Sequence, residues 1–343
     1  MGIKNLNKFI TKYSPSSTSE VDINQLKNTV IAVDAYNSLY QFLTAIRASG
    51  KDFKTENGKI TTHIYAILMK TISFLKKGIT PIYVFDGKAP EIKNNTLEQR
   101  YNIKKLAQNE LDKLEAIETL SDDNIKKKKQ LMQQTTTLTL VQVDECKQIL
   151  KLFGLPYIDA PSEADPQLAY LIKENLVDYV ISEDMDLLTF GCTKLIRNYG
   201  TKKNIKLINL EIILKDIKLS MKQFIDLCIM MGCDYSGTLN GIGMTRAYEL
   251  LKKYKKIETI LENIDENKIS DNFNYQMARN TFMNSPIKSL NKKDLIVNPS
   301  NVDKLLELII DEYEFDDDYW NKMLSFLKPS KKYINTKYKF SDI

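Results

Sequence analysis

Pro81-Ile82-Tyr83-Val84-Phe85 runs directly into Asp86, and two other stretches repeat this grammar. Thr29-Val30-Ile31-Ala32-Val33 is followed by Asp34, and Tyr179-Val180-Ile181 by Ser182-Glu183-Asp184-Met185-Asp186. Short β-branched and aromatic runs without polar alternation suit parallel strands covered on both faces. Helical periodicity lies between them, over Leu39–Ile46 and over His63–Leu75, where Ile64, Ile67, Leu68, Ile72 and Leu75 share a stripe. Strand–helix–strand alternation predicts an α/β fold with a mostly parallel central sheet flanked by helices. Ligands of such sheets bind beyond the carboxyl ends of the strands. An acid at one strand end reads equally as a turn residue; the same placement on all three strands points to a site.

Composition narrows the chemistry. The chain has 343 residues, with 49 Lys and Arg against 44 Asp and Glu, a formal net charge of +5, and one histidine, His63. A single histidine excludes paired-histidine zinc and iron sites. Cys146, Cys192, Cys228 and Cys233 form no C-x-x-C pair, which argues against a zinc ribbon or thiol redox motif and for a reducing compartment. Catalysis is left to carboxylates, lysines or bound metal ions. No run of about 18 apolar residues is present, so no membrane span is predicted. The N-terminus, Met1-Gly2-Ile3-Lys4, lacks a signal-peptide apolar region, and Leu6 is wrong for a myristoylation signal.

Residues 88–145 differ from what precedes them. They are polar and glycine-free, and Leu97, Ile103, Leu106, Leu111, Leu114, Ile117 and Leu120 form a patchy helical stripe. Basic Lys88, Lys93, Arg100, Lys104 and Lys105 outnumber Glu91 and Glu98 over its first part. A long insertion after an acid-bearing strand end either caps a site or is a solvated helical excursion. Beyond about 200 the chain reads mainly helical, with Met221–Met231 ending at Gly232 and a punctuated unit, Gly241-Ile242-Gly243-Met244-Thr245-Arg246-Ala247.

Further acids occur in Ala160-Pro161-Ser162-Glu163-Ala164-Asp165 and in Gly232-Cys233-Asp234-Tyr235. Ser162 with Asp165 three later resembles a capping box, while Asp165-Pro166 is itself an N-cap/N1 signal. Asp165 is therefore read either as a site acid or as a helix cap.

Taken in order, Asp34, Asp86, Glu163, Asp165, Asp184, Asp186 and Asp234, each in its local context, resemble the flap endonuclease branch of the XPG family of structure-specific 5′ nucleases. Met1-Gly2-Ile3, Tyr83-Val84-Phe85-Asp86-Gly87-Lys88, Glu183-Asp184-Met185-Asp186 with Leu188-Thr189-Phe190-Gly191, and the Gly241-Ile242-Gly243 unit carry the rest of the resemblance, over roughly residues 1–260. The resemblance implies a PIN-like 5′ nuclease fold with a helical arch at 88–140 and a helix–two-turn–helix element. Its regions would be an N-terminal nuclease region at 1–105, an internal nuclease region at 141–260, and a C-terminal helical region with a basic tail at 261–343.

It further implies that the seven acids line one site holding two Mg²⁺ ions, with Mn²⁺ substituting, and that Asp86 and Asp186 take part directly in catalysis. Two carboxylates ~5 Å apart repel by roughly 3 kcal/mol at an effective dielectric of 20, so such a cluster calls for cations or raised pKa values. By resemblance, Lys93 and Arg100 contact the scissile phosphate, and Gly2 lies close to substrate. Tyr40 stacks on a base, or is a core tyrosine. Gly241, Gly243 and Arg246 grip duplex phosphates with a monovalent cation. His63 reads as structural.

The sequence departs from the family at Asp165, where Glu is usual, and at its end. Tyr338-Lys339-Phe340-Ser341-Asp342-Ile343 carries no Gln-x-x-Leu-x-x-Phe-Phe sliding-clamp motif, so a clamp contact by that route is not expected. The expected function is a 5′ flap endonuclease with 5′–3′ exonuclease activity in replication and repair, acting as a monomer on branched duplex DNA. The setting is nuclear, or a viral replication compartment. The rivals are a junction or bubble nuclease of the same family and an inactive junction-binding scaffold.

Overall fold

The structure is a computed structural model, and it describes residues 2–50, 52–117, 121–200 and 204–328. Met1, Leu120 and the tail lysines 331, 332, 337 and 339 lie outside the described residues.

Seven strands form one mixed sheet: β1 (Thr18–Glu20), β2 (Val30–Asp34), β3 (Thr80–Phe85), β4 (Tyr157–Asp159), β5 (Tyr179–Ile181), β6 (Lys194–Arg197) and β7 (Lys206–Asn209). Their order is β1-β7-β6-β5-β2-β3-β4. From β6 to β4 neighbouring strands are parallel, and β7 pairs antiparallel with both β6 and β1. The three runs read from sequence are the adjacent central strands β5, β2 and β3. Both faces of that centre are covered, which is why they show no alternation. β1, β4, β6 and β7 went unread; at three or four residues they carry little periodicity, and unlike the equally short β5 none runs as an apolar stretch into a cluster of acids.

Helices α1 (Leu6–Tyr13), α2 (Ala35–Arg47), α3 (Thr62–Lys76), α4 (Asn94–Glu115), α5 (Asp122–Gln134), α6 (Leu140–Leu152) and α7 (Ala164–Lys173) accompany the first five strands. After β7 come α8 (Leu210–Ile217), α9 (Met221–Met231), α10 (Met244–Tyr254), α11 (Ile257–Leu261), α12 (Tyr275–Asn284), α13 (Val302–Glu307) and α14 (Asp317–Leu324). One face of the sheet packs α1 and α7–α12, through residues such as Phe9, Leu168, Phe224 and Leu251. The other packs α2, α3, α6, α13 and α14, through Ile67, Phe74, Ile149, Ile309 and Trp320.

The chain runs β2, β3, β4 outward on one side, then returns to place β5 on the other side of β2. The switch point therefore falls between β2 and β5, where an open α/β sheet leaves a crevice. The polar insertion folds as an antiparallel helix pair, α4 and α5, around its own small cluster of Ala107, Leu111, Leu114, Leu131 and Met132.

Candidate active site

Asp34, Asp86 and the Asp184–Asp186 loop meet because they end or follow the neighbouring parallel strands β2, β3 and β5, while Glu163 and Asp165 come from the start of α7 and Asp234 from the turn after α9. Asp34 is the last residue of β2 and the N-cap of α2. One of its oxygens accepts from Asn37 N–H at 2.9 Å and the other from the Ser182 hydroxyl at 3.0 Å, across the switch point. Asp86 follows β3, and its Oδ1 accepts from Ala164 N–H, the first amide of α7, at 2.7 Å. A carboxylate there also faces the positive end of the helix dipole. The N-cap of α7 is Glu163, with no side-chain cap of its own. This corrects both capping readings. Neither Ser162 nor Asp165 caps the helix, because an acid from a neighbouring strand takes the orphan amide. Pro166 is tolerated in the first turn, where its missing N–H has no intrahelical partner to lose.

The loop after β5 is a series of local turns. Asp184 N–H donates to the Ser182 hydroxyl at 3.1 Å, and Asp186 N–H donates to Asp184 Oδ1 at 2.9 Å. Asp186 Oδ1 accepts from Ile3 N–H at 2.7 Å, which brings the N-terminus into the site. Gly2, at φ +90°, leaves no room for a side chain: a Cβ would stand 2.6 Å from Asp186 Oδ1 and 3.1 Å from Asp184 Oδ1. Glu183 turns the other way, accepting from Arg197 and from Asn198 N–H, so it stands apart from the cluster.

Glu163 and Asp234 are bound by cations from the insertion. Lys93 Nζ pairs with Glu163 Oε1 and stands 3.9 Å from Asp234 Oδ2; Arg100 pairs with Asp234 Oδ2 at 2.7 Å. Lys93 is the N-cap residue of α4 and Arg100 lies seven residues on within it, so both come from the start of the insertion. Tyr235 donates its hydroxyl to Glu163 Oε2 at 2.6 Å. Ser182 and Tyr235 were missed as site residues, although Ser182 lies two residues before the predicted acid Asp184 and Tyr235 adjoins Asp234. A polar side chain beside a ligand acid was the available signal.

The electrostatics tie the acids together. Burial, then repulsion from Asp86, pushes the Asp34 pKa up to about 7. Burial and Asp184 push Asp186 to about 8. Asp165 is raised well above the ordinary carboxylate value, by burial and then by Asp184, Asp34, Asp186 and Asp86, so it sits amid the others. Asp86 opens to solvent, yet its crowded surroundings and Glu163 still raise it. Burial lowers the Lys93 pKa, but Glu163 outweighs it and the net shift is upward.

Among the described residues no three Asp, Glu, His or Cys side chains stand grouped as a ready-made ligand set for one ion. The donor chemistry nonetheless fits a hard divalent cation. All the donors are carboxylate oxygens, burial and mutual repulsion raise the pKa values of Asp34, Asp86, Asp165 and Asp186, and Mg²⁺ keeps several waters and tolerates contacts through them.

The other predicted residues lie around this centre. Tyr40 is half-buried on α2; its hydroxyl accepts from Leu138 N–H at 3.4 Å, and Lys104 Nζ sits 5.4 Å from its ring centroid. Gly243 is the N-cap of α10, Gly241 has φ +72°, and neither would bring a Cβ within 4 Å of another group. Arg246, in the first turn of α10, is exposed and pairs with Glu249 at 3.5 Å. His63 is buried and its Nε2 meets Glu145 at 2.6 Å, consistent with a structural role. The four cysteines are free. Among the described residues no helix is long and apolar enough to cross a membrane.

Comparison with known proteins agrees with this geometry. Residues 1–107 match the XPG N-terminal domain and residues 154–234 the XPG I-region. The chain is 36% identical to flap endonuclease 1 of Caenorhabditis elegans, over 97% of this chain and 87% of that protein. It is 39% identical to flap endonuclease 1 of Danio rerio, over 93% and 84% of the two. The Plasmodium falciparum flap endonuclease 1 is also 39% identical over 96% of this chain, which spans about half (53%) of that longer protein. Among solved structures, flap endonuclease-1 from Methanococcus jannaschii aligns with a TM-score of 0.69 at 30% identity, over 93% of this chain and 96% of that one. The catalytic core of Rad2 in complex with DNA substrate shares the fold, with a TM-score of 0.71 at 24% identity, over 95% and 100%.

Proposed function

The chain belongs to the XPG family, among the flap endonucleases, and from that membership we propose that it is a metal-dependent, structure-specific 5′ flap endonuclease. It hydrolyses phosphodiesters where single-stranded and duplex DNA meet, with accompanying 5′–3′ exonuclease activity, in nuclear replication and repair. The observation that supports this reading is that Asp34, Asp86 and the Asp184–Asp186 loop stand at the ends of adjacent parallel strands, facing acids from the start of α7 and the turn after α9, with two cations, Lys93 and Arg100, brought to them by the insertion.

Asp34, Asp86, Glu163, Asp165, Asp184, Asp186 and Asp234 would hold two Mg²⁺ ions, several of them through water. Such a pair, when bound, supplies an activated water and neutralises the leaving oxygen. The chain's own residues do the rest. Lys93 and Arg100, now engaged with Glu163 and Asp234, stand where a phosphate oxygen would compete for them, and they stabilise charge developing on it. Ser182 and Asn37 N–H fix both oxygens of Asp34. Ala164 N–H orients Asp86, and Ile3 N–H orients Asp186. Tyr235 holds Glu163.

Gly2 admits the substrate end close to Asp184 and Asp186. Tyr40 offers its ring to the base next to the cleavage point. The uncapped start of α10, with Gly241, Gly243 and Arg246, takes downstream phosphates on backbone N–H groups, together with a monovalent cation. The 5′ strand passes beneath the α4–α5 pair.

The test is a labelled double-flap substrate in Mg²⁺. Cleavage near the single-to-double-strand junction, lost in EDTA and in Asp86→Ala, is expected. Cleavage surviving either treatment would refute the mechanism, and tight binding without a cut product would return the chain to a scaffold role.

A further inference from the structure

The helix that opens the acidic site is held from outside by a stretch of chain that contributes no site acid. Gln167 on α7 has 0% exposure. Its Nε2 donates to the Lys288 carbonyl at 2.9 Å, and its Oε1 accepts from Lys288 N–H at 2.7 Å. One turn further, the Tyr170 hydroxyl donates to the Leu290 carbonyl at 3.1 Å and accepts from Leu290 N–H at 3.2 Å. Two side chains thus each exchange a pair of bonds with alternate residues of one extended segment, as a neighbouring strand would.

Gln167 and Tyr170 stand three apart on one face of α7, and the helix they dock starts at its N-cap residue Glu163, four residues before Gln167. The same stretch of chain reaches Glu163 by a second route. It follows α12, whose Phe282 packs edge-on against Tyr235 with centroids 5.1 Å apart, and Tyr235 donates to Glu163. Burying an amide pays only if both its ends are paired, and Gln167 has both paired on the same residue. Packing alone would be met by an apolar side chain at 167; a buried, doubly bonded amide specifies where the helix sits along and around its axis.

We propose that Gln167 and Tyr170 are positioning residues for the metal-binding acids. By docking α7 on the strap Lys288–Leu290 they fix the first turn of α7, and with it Glu163 and Asp165, against Asp86 and Asp234. The C-terminal helical region thereby sets the geometry of a site to which it gives no ligand. This rests on the nuclease reading above.

The experiment compares wild type with Tyr170→Phe, Gln167→Leu and Lys288→Pro, each as the full chain. Lys288→Pro removes the strap N–H that Gln167 accepts from, while fixing φ at that position, and changes no residue of α7. The readouts are Mn²⁺ affinity by calorimetry without DNA, the single-turnover flap cleavage rate across a Mg²⁺ titration, flap affinity in Ca²⁺, and melting temperature. Each variant is expected to weaken Mn²⁺ binding and raise the Mg²⁺ needed for half-maximal cleavage by about tenfold, the scale of outer-shell partners, with flap affinity within about twofold of wild type. A lower melting temperature with unchanged Mn²⁺ affinity and cleavage would overturn the proposal and leave the strap a structural staple. If Gln167→Leu fails to fold, Tyr170→Phe and Lys288→Pro decide it. Wild type failing to bind Mn²⁺ or to cut would refute the nuclease reading instead, so the two failures are distinguishable.

Discussion

Lys93 and Arg100 each hold a carboxylate that the proposed chemistry needs free for metal. Replacing either by Ala removes charge stabilisation from the reacting phosphate, so single-turnover cleavage is expected to fall about 10²–10³-fold while flap affinity changes little. A defect confined to binding would show instead that they are a solvated helix face. The raised acids give a second residue-scale prediction. Asp34 titrates near 7 and Asp186 near 8, against an ordinary 3.8, so the fold retains protons that the unfolded chain releases. Stability from these groups therefore falls as pH rises from about 4 to about 8. In EDTA the melting temperature should drop by several degrees between pH 5.5 and pH 8.5. Mg²⁺ should recover most of it, releasing protons on binding near pH 7. Calorimetry in buffers of different ionisation enthalpy measures that release, and none at pH 7 would contradict the crowded-acid picture. At this scale the acids were legible because each follows a recognisable strand or turn. The role of Asp165 was not: its rival reading as a cap depended on Asp86, seventy-nine residues away in sequence.

At the scale of elements, α4 and α5 depend on one another. They share a five-residue cluster separate from both faces of the sheet, and the pair is tied to α2 by Gln133 donating to the Thr44 carbonyl at 3.2 Å. Leu111→Ala with Leu131→Ala removes two of the five buried side chains. A fully buried Leu→Ala costs ~2–5 kcal/mol, which exceeds what so small a cluster holds in reserve. Amide exchange is expected to quicken across 94–134 while the amides of β2, β3 and β5 stay protected. Flap cleavage should fall tenfold or more, because Lys93 and Arg100 ride on α4, and affinity for unbranched duplex should persist. Equal loss of protection in the sheet would show that the pair is not an independent unit. The insertion announced itself through polarity, missing glycine and a helical stripe. β1, β4, β6 and β7 did not, since three or four residues fix no period, and only the equally short β5 was marked by the acids that follow it.

Across the whole molecule, the C-terminal region could not be placed from its sequence, because the face it packs against is distant in the chain. Leu305, Ile309, Trp320 and Leu324 are buried in the same cluster as Ile67, Phe74 and Ile149 of α3 and α6. The chain is stitched back by Asn298 N–H donating to the Gly154 carbonyl and Asn301 N–H to the Leu152 carbonyl, both at 2.8 Å. A region built into the core in this way should not melt separately. Trp320 is the single tryptophan of the chain, and it packs edge-on against Tyr65 of α3 with ring centroids 5.9 Å apart, so its fluorescence reports this junction alone. Far-ultraviolet circular dichroism reports all the helices and strands at once. In guanidinium chloride the two signals are expected to change together, with one midpoint and one slope. An earlier fluorescence transition would mean that residues 302–324 open while the sheet stands. The strap between α12 and α13 would then be anchored at one end only, and the coupling of the C-terminal region to Glu163 would lose its mechanical basis.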